Sequence, residues 1–350
     1  MSRRLFVLDG LRGWAALVVL GYHVYLQVLP PVNISRLHLD LWWPFTGSFA
    51  VALFFLVSGF SLSMGFVETG NRHMVMRTAA GRYLRLGIPI FFACMLSSAL
   101  LNANLIPDPE NRPFWNQQYF DFDPTLWHLI RFSLFDVYFN HSYEGSYAPP
   151  LWTMSYELFG SFGLAAMLLL VGKPSDNKLA YGLVTAVLFV LQPWYSLFLI
   201  GIVAVQLRQW LVEHVPGWAG LMSMIAGSAI AVILDQHIKV LVISSTLFFI
   251  GALHAPAACT FFSNRLSRWL GEISFPLYLT HVPITFAVGM PIYMIDFENN
   301  LLRFGAGCLA VAASILVAMM FSPINTWAMQ ASRWAGRTII PGQKVTGLAS

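Results

Sequence analysis

Leu8-Asp9-Gly10-Leu11-Arg12-Gly13-Trp14-Ala15-Ala16-Leu17-Val18-Val19-Leu20-Gly21-Tyr22-His23-Val24 opens the first apolar run of the chain and carries charge into it. Its length and hydrophobicity predict a membrane helix, in which ionisable side chains are anomalous. Arg12 and His23 stand eleven positions apart, close to three helical turns, so both fall on one face about 16 Å apart along the axis. An ionisable residue near the bilayer centre costs on the order of 2 to 3.5 kcal/mol, which favours burial inside a bundle or against a wet cavity. This helix therefore reads as one wall of a site.

Working outward, the whole composition agrees with a membrane setting. Of 350 residues, 57% are hydrophobic and 10% charged, against about 25% charged in a soluble domain. The expected fold is an all-α polytopic bundle: one transmembrane domain over residues 1–335 and a short cytoplasmic tail over 336–350. Apolar runs close to spanning length occur at 11–30, 47–67, 84–105, 150–172, 194–211, 217–234, 239–259, 270–290 and 301–323. A tenth, shorter run at 179–191 ends at Gln192-Pro193-Trp194 and forms a hairpin with the next. The start leads almost directly into the first run without a small-residue cleavage site, the pattern of a retained signal-anchor.

The run 124–139 is too short to span and holds His128 and Arg131. Reading it as a short outer interfacial or re-entrant helix leaves about ten spans with both termini cytoplasmic. Arg3, Arg4, Arg72, Arg77, Arg82, Arg85, Lys173, Lys178, Arg208, Arg265, Arg268, Arg333, Arg337 and Lys344 then share one side. The acidic loops around Asp108 to Asp123 and around Asp296 face the other.

Several function classes lack their signals. A net charge of +4 is explained by positive-inside loops and does not suggest nucleic acid. Cys94, Cys259 and Cys308 lie in apolar runs without a paired spacing, and no HExxH or similar metal spacing is present. Ser58 lacks the first glycine of a nucleophile elbow, and its small neighbours suit close helix packing.

Three further stretches place polar groups where a purely structural role fits poorly. Pro149-Pro150-Leu151-Trp152-Thr153-Met154-Ser155-Tyr156-Glu157 begins a span from the outer face, putting Glu157 about 9 Å in. His23 lies in the outer half of its own helix, so the two are expected to meet. A carboxylate fixes the tautomer of a histidine and supports its cation, as a general base requires, although the same contact also serves as a structural ion pair. Arg82 and Arg85 share a face at the mouth of the third span and, with Arg12, suit planar multidentate binding of phosphate. Positive-inside topology also accounts for arginines there. His281, about eleven residues into a span beginning at the inner face, reaches a depth near that of His23. It either binds an acceptor hydroxyl or satisfies a neighbouring carbonyl.

Taken together these segments resemble the membrane-bound acyltransferase-3 family of bacterial O-acyltransferases. The resemblance rests on residues 8–23 with their Arg12 and His23, on 54–60, 82–89 and 151–157, and on 270–281, in family order. It implies transfer of an acyl group, most often acetyl from cytoplasmic acetyl-CoA, to a hydroxyl of a glycan or small molecule at the outer side of the bacterial inner membrane. Position by position it makes His23 the catalytic histidine, Glu157 a supporting acid, and Arg12, Arg82 and Arg85 the acyl-CoA-binding groups. His281, Trp152 and Tyr278 become candidate substrate-binding residues for a glycan or lipid-linked sugar. Leu158 stands where relatives often carry Glu or Gln, and Ser322-Pro323-Ile324-Asn325 stands where they often carry an acid near the last helix. The competing class is a proton-coupled transporter using the same Arg, His and Glu groups, although no internal repeat of the carrier type is visible.

Overall fold

The protein is described here from a computed structural model covering residues 5–30, 46–234, 237–296 and 298–341. The sequence expectations placed on Arg3, Arg4, Lys344 and most of the tail lie outside these residues. Among the described residues all regular structure is helical.

The first helix, α1 (Phe6–Tyr22), runs directly into a π-helical stretch, His23–Val28. Next come α2 (Gly47–Thr69) and α3 (Arg72–Asn102), joined at Gly70, whose φ of 71° closes α2 in the left-handed conformation that glycine adopts freely. Thr46 caps α2 by accepting from the Phe49 N–H, and Asn71 caps α3 by accepting from His73 and Met74. A loop with two 3-10 turns, Pro109–Asn111 and Phe114–Asn116, leads to α4 (Leu126–Arg131), which continues through a π turn to Phe139. There follow α5 (Thr153–Leu170), α6 (Lys178–Leu191), α7 (Pro193–His214), α8 (Gly217–Ile233), α9 (Ile238–His254), α10 (Pro256–Phe262), α11 (Arg265–Ile284) and α12 (Asn300–Ile339). The boundary drawn at 335 falls within α12.

Each of the ten apolar runs is helical, the run 239–259 as two helices, α9 and α10. Six of the described helices are long and apolar enough to cross a membrane, seven if α9 and α10, bent by 91° at their junction, count as one broken span. The expected count of about ten is not reached on that measure, because α6 and α8 are short apolar helices and α1 has only 17 α-helical residues before its π stretch. The chain is a multi-pass membrane protein. The segment 126–139 is a helix with a central π turn, too short to span, with Trp127, Phe135 and Phe139 exposed.

The bundle is built from close helix pairs: α1 with α11, α2 with α7, α3 with α12 and α8 with α9. Helices α1 and α11 run parallel and touch backbone to backbone. A Cβ on Gly13 would lie 2.6 Å from the Gly271 nitrogen, and one on Gly271 would lie 2.3 Å from the Asp9 carbonyl oxygen. That contact fixes the register of everything further along both helices. Prolines stand inside α3, α11 and α12: Pro89, Pro276 and Pro283 are buried in the bundle, and Pro323 is exposed.

Candidate active site

Gly13 and Gly271 each lie ten residues before a histidine on their own helix. Since α1 and α11 are parallel and in contact at the glycines, equal offsets bring the two histidines level. His281 Nε2 lies 3.1 Å from His23 Nδ1, with ring centroids 4.9 Å apart. His281 Nδ1 faces the Leu277 carbonyl at 3.0 Å, and His23 Nδ1 faces the Val19 carbonyl at 2.9 Å.

These contacts assign the protons. A carbonyl only accepts, so neutral His281 carries its hydrogen on Nδ1 and offers a lone pair at Nε2. His23 Nδ1 then meets two acceptors and must itself be the N–H donor. The His23 lone pair is left on Nε2, the arrangement of a ring ready to take a proton. His23 opens the π-helical stretch His23–Val28, and His281 lies in the last α-helical turn before another, Thr285–Gly289, a local widening frequent at functional sites. Thr285 ties the second turn down by donating to the His281 carbonyl at 2.7 Å.

Glu157 is engaged elsewhere, which corrects the expected His23–Glu157 contact. Its Oε1 accepts from the Ser58 hydroxyl at 2.6 Å and forms an ion pair with Arg82. Arg82 also donates from Nε to the Ser161 hydroxyl at 2.8 Å, and Ser161 in turn donates to the Glu157 carbonyl at 2.6 Å. Helix α5 packs against α2, α3 and α7, so its acid turns to the arginine of α3.

These groups line a cavity of about 120 Å³ walled by Arg12, Ser58, Arg82, Arg85, Thr153, Glu157, Phe275 and Tyr278, among others. All three arginines from the sequence reading meet there. Arg85 donates to Asn325 Oδ1 at 2.8 Å and lies 5.3 Å over the Phe275 ring. Asn325 closes the stretch 322–325, near the last helix, where the resemblance leads to the expectation of an acid. A neutral amide there leaves the charge of Arg85 unbalanced. Arg12 makes no hydrogen bond among the described residues. The wall thus carries three cations against one carboxylate.

Tyr278 stands between cavity and histidines. It lines the former, and its ring centroid is 6.1 Å from that of His281 and 5.5 Å from that of Phe54. Its hydroxyl donates to the Pro150 carbonyl at 3.0 Å and lies 2.9 Å from the Thr153 hydroxyl. Trp152 turns into an aromatic cluster with Tyr156 and Trp194 instead, at centroid distances of 5.7 and 5.5 Å. Ser58, Ser161 and Asn325 join the site without having been singled out as site residues. Of these only Asn325 left a trace in the sequence, as part of the stretch 322–325 that departs from the family pattern.

In a comparison with known families, the model described as an acyltransferase domain, that of acyltransferase-3, matches residues 6–321. No curated protein and no solved structure matches the chain.

Proposed function

Because the chain belongs to the acyltransferase-3 family and is a membrane acyltransferase, we propose that it transfers an acetyl group from cytoplasmic acetyl-CoA to a hydroxyl of an exported or envelope glycan. In this reading it lies in the bacterial inner membrane with both termini cytoplasmic. The observation that carries it is the pairing of a proton-accepting histidine with a cation-rich cavity on the same helix, through His23 and Arg12.

The cavity fits a polyanionic donor. Three arginines face one carboxylate, and an excess of cations in a low-dielectric bundle is stabilised by an anion. Arg12 and Arg85 supply the unbalanced charge and would hold phosphate. Arg82, held by Glu157 and Ser161, keeps its wall of the cavity in shape. When bound, acyl-CoA supplies an activated thioester.

His23 supplies the proton chemistry. Its Nε2 accepts the proton of the acceptor hydroxyl as that oxygen bonds to the acyl carbon, the carbon–sulfur bond breaks, and the imidazolium, stabilised through Nδ1–H by His281 and the Val19 carbonyl, returns the proton to the leaving thiolate. His281, locked by Leu277, holds the tautomer that this requires. Tyr278 and Phe54 form the partition past which the two substrates meet.

The experiment is transfer of label from radioactive acetyl-CoA by purified protein in lipid, with and without a glycan extract of the source cells. Wild type is expected to label the extract, and His23→Ala to fall by at least about a hundredfold at unchanged thermal midpoint. Full transfer by His23→Ala removes the reading.

A further inference from the structure

The loop between α3 and α4 folds back over the outer ends of α1 and α11 and buries polar groups with unmet hydrogen-bonding capacity. Arg112 is 3% exposed and Asn116 fully buried. The Arg112 guanidinium lies 5.2 Å over the Phe286 ring and donates through Nη2 to the Tyr119 carbonyl at 2.7 Å, but its Nε and Nη1 have no partner. Asn116 donates to the Val28 carbonyl at 2.8 Å while its Oδ1 is unmet, and the neighbouring indole N–H of Trp115 is buried and unmet. From α12, Arg303 donates to the next carbonyl, Leu29, at 3.3 Å, and its buried Nε is unmet. Asn116 and Arg303 therefore hold carbonyls of two consecutive peptides.

Unsatisfied buried groups are costly and few in native proteins, so four side chains of this kind in one place call for a ligand. The set is donor-rich: two guanidinium groups and an indole N–H against a single amide oxygen. Exposed Asp108 and Asp121 are close enough to act on Arg112 electrostatically, yet neither hydrogen-bonds it among the described residues. Surroundings rich in N–H donors select oxygen-rich anions. The location is also specific. Val28 and Phe286 each lie five residues beyond a histidine of the pair, about 7 Å further out along the helices.

We infer that Arg112, Trp115, Asn116 and Arg303 form a binding site for the acidic part of the acceptor, a sugar bearing a carboxylate or a phosphate, held just outward of His23. This rests on the acyltransferase reading for its purpose, but binding does not need turnover. The site selects for charge on the acceptor, whereas the cavity around Arg12 and Arg85 serves the donor.

The test measures affinity of the full-length protein in lipid for glucuronate, glucose 1-phosphate and uncharged glucose, by isothermal calorimetry without acyl-CoA. At least one charged sugar is expected to bind at least about tenfold more tightly than glucose. Preference for glucuronate identifies a uronate-type acceptor, and preference for glucose 1-phosphate a phosphate-linked one. Arg112→Gln should reduce the preferred affinity roughly ten- to a hundredfold. Trp115→Phe, which keeps the ring and removes only the N–H, should reduce it severalfold at an unchanged thermal midpoint. Equal affinity for charged and uncharged sugars, no binding at millimolar concentration, or full affinity in folded Trp115→Phe and Arg112→Gln overturns the inference. Failure of label transfer from acetyl-CoA, with charged-sugar binding intact, would instead remove the acyltransferase chemistry.

Discussion

At the scale of single residues, the working unit is a relay of alternating donors and acceptors running from the Leu277 carbonyl through His281 to His23. His281 is a positioning residue in this scheme, since it acts through His23. Replacing it with Phe should lower kcat roughly ten- to a thousandfold while leaving KM for acyl-CoA unchanged. His281→Gln, whose side-chain oxygen can still accept from His23, should recover part of the loss. Steady-state kinetics on the two variants decides the matter: equal activity of both with wild type would leave the relay without a role. Much of this was legible in the sequence. Turn counting put Arg12 and His23 on one face and gave His281 the depth of His23. It could not give Glu157 its neighbour, because spacing along a helix yields depth and face but not which helix lies opposite. Glu157 and His23 share a depth range, yet α5 packs on α2, α3 and α7. The small neighbours of Ser58 read as suited to close packing, and Gly59 does meet the Phe198 backbone, while Ser58 itself donates to Glu157.

At the scale of elements, the decisive contact is far from the chemistry it sets. Gly13 and Gly271 allow α1 and α11 to meet at the backbone, and ten residues later that closeness becomes the 3.1 Å contact between rings. A methyl group at Gly271 cannot be absorbed by a rotamer change, because the obstacle is the Asp9 carbonyl oxygen. Gly271→Ala should therefore push the helices apart, costing about 1 to 3 kcal/mol of stability from overpacking. Activity should fall although every catalytic side chain is retained. Gly305→Ala on α12, where nothing lies within 4 Å, is the matched control and should leave both unchanged. Thermal unfolding in lipid together with label transfer reads both effects, and wild-type activity in Gly271→Ala would dissociate the glycine contact from the site. The helices themselves were evident from the ten apolar runs. Their number of crossings was not, since α6 and α8 fall short of spanning length and α9 breaks by 91° into α10. Hydropathy averages over such breaks and records only that a stretch is apolar.

At the scale of the whole molecule, charge and contacts divide the bundle into two ends. At one end Arg77 donates to the Ile340 carbonyl at 2.9 Å, Arg72 to the Leu169 carbonyl, and Trp14 to the Ser267 hydroxyl at 3.0 Å. The starts of α3 and α11 thus gather with the ends of α5 and α12, among arginines. At the other end Asn116, Tyr293 and Arg303 hold the carbonyls of Val28, Pro30 and Leu29, under the acidic loops. In the proposed orientation, which follows the charge rule, the arginine-rich end faces the cytoplasm with the proposed donor, and the opposite end with its proposed acceptor site faces outward. The single span α5 separates the two between exposed Ser142 and exposed Asp176, so its orientation can be tested without knowing the total number of crossings. With Cys94, Cys259 and Cys308 replaced by alanine, a cysteine at position 142 should react with a membrane-impermeant maleimide in intact cells. A cysteine at position 176 should react only after permeabilisation. The reverse pattern would invert the molecule and put donor and acceptor sites on the wrong sides. Labelling of both positions in intact cells would mean that α5 does not cross, and the route from the arginine cavity to the histidine pair would then no longer lead across the membrane.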